Sequence, residues 1–480
     1  SSTAVTTPAN MIFTAGFTNT AGTFNAGGAS IGNGQILSGA VVLIFNNGLS
    51  IGGAGDITIT GAGGVRLAGT AINYTVPGNL TLTGTLLVST TGNFTVTGTT
   101  SVTGAGTFTD NNNTGITTFT GAVTHNSTGA WTTTSVTTAA NMIFSNNVTN
   151  TAGAFSAGAA TIADAKTLTG TVNMSFNRGL TISGNGDITI AGNATNGVNL
   201  GGTLINYSIR NLTLTGLLTV STTGDLSVTG TTTLSSTGAF LDNNGTGITT
   251  FTGLVTVGSA STFTATAITT LGRLIFAGGI IQNNTTALAF YVGTLRTSAT
   301  QTWSGAGDIR TTGVLDVNAG TLTNNITGTV LVGGTLTGTT LVQGTNAILA
   351  LASTTPLSIT TLTSTATGNT VDYRSAGSAT MRSQTYHNLT ISGSGNKTIS
   401  TTDITVNGNI TISAGALSNT TNNRNIVIGG NWINNVGSAG FTAGTGTVTF
   451  SGSSTQTLGG SGSTTFKNLT LNNVSGINQT

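Results

Sequence analysis

The segment Leu80-Thr81-Leu82-Thr83-Gly84 alternates apolar and threonine side chains and then closes on a glycine. The same form returns as Ile57-Thr58-Ile59-Thr60-Gly61 and as Phe94-Thr95-Val96-Thr97-Gly98. A period of two places the apolar residues on one face of a β-strand and the threonines on the other, and the glycine permits a turn. We therefore predict short strands whose apolar side chains point inward, including Ile57, Ile59, Leu80, Leu82, Leu212 and Leu214.

The chain also repeats itself over a longer distance. Ala9-Asn10-Met11-Ile12-Phe13 returns as Ala140-Asn141-Met142-Ile143-Phe144, and Asn79 to Gly84 returns as Asn211 to Gly216. A third copy opens near Ile275-Phe276 and diverges. This self-similarity, at about 132 residues, is typical of repeat architectures. We predict solenoid repeats over residues 1–132 and 133–264, a diverged repeat over 265–370 and a last set of repeats over 371–480, all in one continuous rod.

The composition favours an all-β protein. The 480 residues include 72 Gly, more than 100 Thr, 3 Pro, no Cys and no Glu. Threonine, valine and isoleucine favour strands because of their branched Cβ atoms. Disordered chains combine low hydrophobicity with high net charge, whereas this chain is 37% hydrophobic with a net charge of +2.

Short strands separated by glycine or asparagine turns suit a sandwich or barrel array, or a solenoid. Three observations favour the solenoid. Insertions of one or two residues between copies leave the pattern intact, and Trp131, Trp303 and Trp432 share no position in the repeats. The recurring turns Asn111-Asn112-Asn113 and Asn243-Asn244 suit stacked amide ladders. We predict a parallel β-helix with coils of roughly 20 residues, six or seven to each long repeat.

Two classes of partner are disfavoured by the charge and hydropathy patterns. No cluster of Lys or Arg is present, so we expect no nucleic-acid binding. The longest apolar run, from Ala40 to Phe45, is far shorter than the ~20 residues of a membrane-spanning helix, so we expect no membrane span. Ser1-Ser2-Thr3 lacks the features of a signal peptide, so export would require a signal that is absent from this sequence.

No catalytic, cofactor-binding or metal-ligating residue is predicted, and we expect that the protein is not an enzyme. Gly-x-Gly-Asp recurs at Gly53 to Asp56, Gly184 to Asp187 and Gly305 to Asp308. One Asp per turn supplies too few oxygens for calcium, so we interpret these as turns in which Asp caps backbone amides. The closest acidic pair, Asp308 and Asp316, lacks a basic partner pattern. His125 and His387 are interpreted as lone turn or surface residues.

Threonine ladders offer an alternative function. Regularly spaced Thr-x-Thr pairs on one flat face could bind ice or carbohydrate, provided that this face alone is rich in threonine. Candidate pairs are Thr58-Thr60, Thr81-Thr83, Thr95-Thr97 and Thr213-Thr215. Asn79, Asn93, Asn211 and Asn409 begin Asn-x-Thr sequons, which we attribute to chance in a chain so rich in both residues.

The region from about Val371 carries a different motif. Thr447-Val448-Thr449-Phe450 leads to Phe466-Lys467-Asn468-Leu469-Thr470-Leu471, and Thr370 to Tyr373 leads similarly to Tyr386-His387-Asn388-Leu389-Thr390-Ile391. With Gly429-Gly430-Asn431-Trp432 between them, this region resembles the β-strand-repeat, adhesin-like giant surface proteins of Bacteroidota and related Gram-negative bacteria. The resemblance implies a parallel β-helix exported to the cell surface, and it implies no catalytic motif.

These observations together predict an extracellular structural or adhesive rod. Neither Ser1 to Phe13 nor Asn468 to Thr480 resembles a capping segment, and solenoid ends need caps. We therefore expect the partners to be neighbouring repeats of a longer chain or a second copy stacked end to end, as in a head-to-tail surface filament. Surface glycans are a further expected partner.

Overall fold

The computed structural model describes residues 5–7 and 11–480 and divides the chain into two compact units, Ser1–Thr249 and Thr250–Thr480. Within the described residues the protein is all-β, and its one helical element is the 3-10 turn Ala139–Asn141. This confirms the predicted fold class. The predictions for Ala9-Asn10 and for the first residues of the chain lie outside the described residues.

Each unit is a parallel β-solenoid with three strands in a typical coil. We call the three sides of the coil faces 1, 2 and 3. In one coil of the first unit they are formed by Leu43–Phe45, Leu49–Ile51 and Ile57–Thr60, respectively. Each strand pairs in parallel with its counterpart in the next coil, so that Leu43 lies beside Val65 and Ile57 beside Leu80. Successive coils are about 21 residues apart, which confirms the predicted parallel β-helix.

The strands of the first unit are grouped here by face. On face 1 they are Val5–Thr7, Phe24–Ala26, Leu43–Phe45, Val65–Leu67, Thr85–Val88, Thr107–Asp110, Trp131–Thr133, Gly197–Leu200, Leu217–Val220 and Ala239–Asp242. Phe155–Ile162 and Met174–Ile182 continue from face 1 into face 2. On face 2 they are Met11–Phe13, Ala29–Ile31, Leu49–Ile51, Tyr74–Val76, Phe94–Val96, Thr117–Phe119, Met142–Phe144, Tyr207–Ile209 and Leu226–Val228, with Thr249–Phe251 at the unit boundary. On face 3 they are Phe17–Asn19, Gln35–Gly39, Ile57–Thr60, Leu80–Leu82, Thr100–Gly104, Val123–Ser127, Val148–Ala152, Lys166–Gly170, Ile188–Gly192, Leu212–Leu214 and Thr232–Leu234.

The second unit also has three strands in a typical coil, and its strands are grouped by face in the same way. Face 1 contains Thr262–Ala265, Phe290–Val292, Ile309–Thr311, Thr329–Val332, Ile348–Leu351, Thr370–Tyr373, Asn388–Ile391, Ile410–Ile412, Trp432–Asn434, Gln456–Gly459 and Ile477–Gln479. Face 2 contains Leu274–Phe276, Leu295–Thr297, Ala379–Met381, Asn396–Ile399, Ala416–Ser418 and Phe441–Thr442. Face 3 contains Val255–Val257, Ile280–Gln282, Gln301–Gly305, Thr385–Tyr386, Ile404–Val406, Ile426–Ile428, Thr447–Phe450 and Asn468–Leu471. Leu315–Ile326, Leu336–Gln343 and Leu357–Thr363 continue from face 2 into face 3.

The predicted inward side chains form the core. Ile57, Ile59, Leu80, Leu82, Leu212 and Leu214 are each at most 3% exposed, whereas the intervening threonines are partly exposed. The period-two pattern is therefore confirmed at these strands. Burial of each such aliphatic side chain stabilises the fold by about 1.5–3 kcal/mol, which makes the inward rows the main source of stability.

The long repeat appears as matching structural details six coils apart. Tyr74 and Tyr207 begin equivalent strands on face 2, and each buries its hydroxyl against two backbone carbonyl oxygens. Gly69 and Gly202 precede them with φ values of +108° and +103°. A Cβ atom at either glycine would lie 2.2 Å from a backbone oxygen of the preceding coil, so both the φ angle and the close approach require glycine.

The motif that begins near Val371 consists of paired strands. Thr370–Tyr373 pairs residue for residue with Asn388–Ile391, and Thr447–Phe450 pairs in the same way with Asn468–Leu471. The two halves of each motif are therefore strands stacked in adjacent coils. The first pair lies on face 1 and the second on face 3, so the two copies of the motif occupy different sides of the coil.

Candidate functional site

Many strands are preceded by an Asn or Asp whose side chain bonds to the next coil. Asn33 Oδ1 accepts a hydrogen bond from the backbone N–H of Asp56 at 2.8 Å. Asp56 Oδ1 accepts one from the N–H of Asn79 at 2.7 Å, and Asn79 Oδ1 accepts one from the N–H of Thr99 at 2.8 Å. We call such a series an Asx column, because each side chain satisfies a backbone donor one coil further along.

Asx columns recur at other corners of the coil. In the second unit, Asn388 Oδ1 accepts from Asn409 N–H, Asn409 Oδ1 from Asn431 N–H and Asn431 Oδ1 from Thr457 N–H, over 2.7–2.9 Å. Shorter columns follow the same rule; they are Asn73-Asn93-Ile116, Asn206-Asp225-Ile248 and Asp403-Asn425-Thr447. The columns therefore connect neighbouring coils through hydrogen bonds from backbone amides to side-chain oxygens.

This geometry explains the abundance of Asn-x-Thr sequons. The column residue needs a short acceptor side chain, the next residue points inward and is apolar, and the one after points outward. Asn79-Leu80-Thr81 and Asn409-Ile410-Thr411 both follow that rule. The sequons thus follow from the stacking geometry as well as from the composition.

The Asp residues of the Gly-x-Gly-Asp turns also form hydrogen bonds to the next coil. Asp56 and Asp308 each accept a backbone N–H from the next coil, at 2.7 and 2.8 Å, so these side chains bond backbone amides across coils rather than within the turn. Asp187 instead accepts Nδ2–H of Asn211 and both Nε–H and Nη2–H of Arg210. That hydrogen-bonded guanidinium lowers the pKa of Asp187. Asp56 and Asp187 precede face 3 strands, whereas Asp308 precedes a face 1 strand, so the third turn is not equivalent in position.

A buried acid lies at the corner between faces 1 and 2. Asp110 is fully buried, and its Oδ1 accepts the N–H of Asn112 at 2.7 Å. Its Oδ2 accepts the hydroxyl of Thr117 at 2.6 Å. The equivalent corner one repeat later has Asp242, Asn244 and Thr249 in the same arrangement, with distances of 2.8 and 2.5 Å. Burial raises the pKa of Asp110 to about 6 and also raises that of Asp242.

The asparagine-rich turns do not form the predicted stacked amide ladder. Asn112 and Asn244 are buried, and the Nδ2 of each donates to a glycine carbonyl of the preceding coil at 2.6 Å. The Oδ1 of each accepts a backbone N–H of its own turn. The two amides belong to coils six turns apart and cannot stack on each other. The recurring Asp-x-Asn-x-Thr-Gly-Ile-Thr sequence was the available signal for this corner.

The two histidines have different environments. The interpretation of His125 as a turn or surface residue is wrong, because His125 lies in the strand Val123–Ser127 and is fully buried. Its Nδ1 is 2.8 Å from Asn150 Oδ1, and its Nε2 is buried without a protein partner. His387 lies in a bend and is partly exposed, as expected.

The acidic residues also have basic partners that the sequence reasoning missed. Asp308 pairs with Arg310 at 2.8 Å, and Asp316 pairs with Arg296 at 2.8 Å. The prediction that this pair of acids lacks basic partners is therefore wrong. Arg296 is one coil away from Asp316 on face 2. Their separation of 20 residues, about one coil, could therefore have predicted this ion pair.

A second buried polar cluster lies in the second unit. Lys397 is fully buried, and its Nζ lies 2.6–3.3 Å from the carbonyl oxygens of Ser375, Gly377 and Gly395. Burial lowers the pKa of Lys397, although Asp372 opposes the shift. Nearby, the hydroxyl oxygens of the buried Tyr373 and Tyr386 are 3.1 Å apart. All of these donors and acceptors are used within the fold.

Face 3 of the first unit presents a column of outward hydroxyls. Six successive coils contribute Thr58, Thr81, Ser101, Thr124, Thr149 and Thr169 in register. None of these six described hydroxyls donates a hydrogen bond to the protein. Face 2 carries a shorter run, Thr75, Thr95 and Thr118, before Ile143 interrupts it. Threonine is therefore concentrated on face 3 but is not confined to it.

A surface groove of about 400 Å³ lies in the first unit. Its lining includes Thr181, Asn185, Asn206, Ser208 and Arg210. The charge of Arg210 is paired with Asp187 at 2.6 Å. The groove is thus polar, open and nearly neutral.

The described part of the chain contains no cluster of three or more Asp and His residues placed to hold a metal ion. No helix in that part is long and apolar enough to cross a bilayer. No protein-family model, curated protein or solved structure matches this chain.

Proposed function

We propose that this protein is an extracellular structural or adhesive β-solenoid. The observation that carries the proposal is that polar side chains in both units form bonds between neighbouring coils. The Asx columns and the ion pair between Arg296 and Asp316 link one coil to the next. Such polar chemistry favours a mechanical role, because it strengthens stacking coil by coil. The resemblance of residues 371–480 to adhesin-like surface repeats supports location at the cell surface.

Immunolabelling tests this proposal directly. Antibodies raised against the purified chain should label intact, unpermeabilised cells of the source organism. An antibody against a cytoplasmic protein of the same cells serves as the control for membrane integrity. Labelling that appears only after permeabilisation would contradict the proposed location.

The filament role rests on the last face 3 strand. Leu469 and Leu471 are 42% and 61% exposed, although they pair with Val448 and Phe450, which are at most 2% exposed. We propose that a further coil covers these two leucines, either a neighbouring repeat of a longer chain or, in a filament, a coil of a second copy. Light scattering should then show mass growing with concentration, and Leu469→Asp with Leu471→Asp should abolish that growth. A constant monomer mass for the unmodified chain would contradict stacking.

The hydroxyl column on face 3 supports a second candidate function, the binding of ice or of a neutral carbohydrate. Hydroxyls without protein partners are available for external hydrogen bonds, and five of the six column residues are threonines, which add a methyl group. Inhibition of ice recrystallisation and co-sedimentation with insoluble polysaccharides distinguish the two ligands. Replacing Thr81 and Thr124 by Tyr should abolish the active response, whereas Thr109→Tyr on face 1 should not. Equal responses in both variants would exclude face 3.

A further inference from the structure

The two buried corners of the first unit differ from every other acidic site in the described residues. Asp110 and Asp242 are both 0% exposed, and neither pairs with a basic side chain. The other buried acids, Asp316 and Asp372, form ion pairs with Arg296 and Arg374. A buried carboxylate with no cation is costly unless it is protonated. The same arrangement occurs in both long repeats, so it is not a local accident.

The elements packed around each corner offer no compensating charge. The face 1 strands Thr85–Val88 and Trp131–Thr133 flank Asp110, and Leu217–Val220 flanks Asp242. None of them contains a titratable residue. In the coil that contains Asp110 the titratable group is His125 on face 3, which bonds to Asn150. Near Asp242 it is the exposed Asp225, which accepts the N–H of Ile248.

The hydrogen bonds at each corner suit a neutral carboxyl group as well as a charged one. Oδ1 accepts one backbone N–H, and Oδ2 faces a single threonine hydroxyl, which can accept as well as donate. A carboxylate there would have two donors, fewer than the oxygens can accept. A protonated oxygen could instead donate to the threonine hydroxyl.

We infer that these corners are acid-strengthened clamps, in which proton uptake by Asp110 and Asp242 tightens the connection between faces 1 and 2. Burial raises the pKa of both carboxyl groups in the folded protein. A carboxyl whose folded pKa is raised contributes stability below its unfolded pKa, and that stability is lost as the pH rises through the folded pKa. For Asp110 the window extends from the ordinary aspartate pKa of 3.8 to about 6. Acidification across it should increase the folding equilibrium constant on the order of 100-fold for this group.

Carbon-13 NMR of chain labelled at the aspartate carboxyl carbon tests the inference, because the chain has only ten acidic residues, all Asp. Asp110→Asn and Asp242→Asn identify two signals by their loss. We expect the Asp110 signal to titrate near pH 6 and the Asp242 signal above its ordinary range. Titration of both signals at or below the ordinary range would overturn the inference.

A stability measurement provides a second, independent readout. The unmodified chain should become more resistant to urea as the pH falls from 7.5 to 4.5, relative to the Asp110→Asn, Asp242→Asn double variant. The matched control is Asp225→Asn, which keeps its Oδ1 acceptor and should follow the unmodified chain. Parallel pH profiles for the unmodified chain and the double variant would contradict the clamp. If the double variant does not fold, the NMR titration of the unmodified chain still decides the question.

Discussion

At the scale of single residues, strand alternation determined burial more strongly than polarity did. In Val123-Thr124-His125 the period of two places His125 on the same side as Val123, and both are buried. Asp110 follows Phe108 by two residues and is buried with it. Both inward positions were predictable from alternation.

The core strand Ile188–Gly192 gives a residue-scale prediction. From the sequence, Ile188→Asp should be strongly destabilising, because it buries a charge without a partner. The structure places Lys166 beside Ile188, so Ile190 is the cleaner site, with Leu168 and Leu214 as its buried neighbours. Ile190→Asp should lower the free energy of unfolding by more than about 3 kcal/mol.

Hydrogen exchange measures this effect locally. The amides of Lys166–Gly170, Ile188–Gly192 and Leu212–Leu214 should lose protection in Ile190→Asp. Thr189→Asp, on the outward side of the same strand, should cost about 1 kcal/mol or less. Similar losses of protection in the two variants would show that the inward and outward sides are assigned wrongly.

At the scale of elements, the strands were predictable from the sequence, whereas the side-chain hydrogen bonds between coils were only partly predictable. The apolar-Thr-apolar pattern identified Leu80–Leu82 and Leu212–Leu214 correctly. The Asx columns were not predicted, because their partners are about one coil apart and coil lengths vary. Capping by Asp56 was expected as a local turn feature, whereas its acceptor role reaches 23 residues along the chain.

The Asx column at Asn79 supplies an element-scale prediction. Asn79→Ala removes the acceptor for the N–H and hydroxyl of Thr99, and loss of such a bond costs about 1 kcal/mol. Exchange of the Thr99 amide should therefore accelerate several-fold. Asn79→Asp keeps the acceptor oxygen and should exchange at nearly the original rate. An unchanged exchange rate of the Thr99 amide in Asn79→Ala would show that the Asx column does not stabilise the stacking of coils.

At the scale of the whole molecule, the coil period was predictable and the assignment of motifs to faces was not. A repeat of about 132 residues and a predicted coil of roughly 20 residues were sufficient to predict a parallel β-solenoid. The third Gly-x-Gly-Asp turn nevertheless precedes a face 1 strand rather than a face 3 strand, and the two motifs in residues 370–391 and 447–471 lie on different faces. Long strands such as Leu315–Ile326 continue around a corner, so position along the chain does not fix position around the coil.

Cysteine cross-linking tests the parallel stacking most directly, because the chain has no cysteine of its own. Thr81 and Ser101 lie side by side in adjacent coils, about 4.8 Å apart, within disulfide range. Thr81→Cys with Ser101→Cys should form an intrachain disulfide under mild oxidation. Thr81→Cys with Thr124→Cys, two coils apart, should remain reduced. Ready cross-linking of the second pair, with none in the first, would contradict the in-register parallel solenoid.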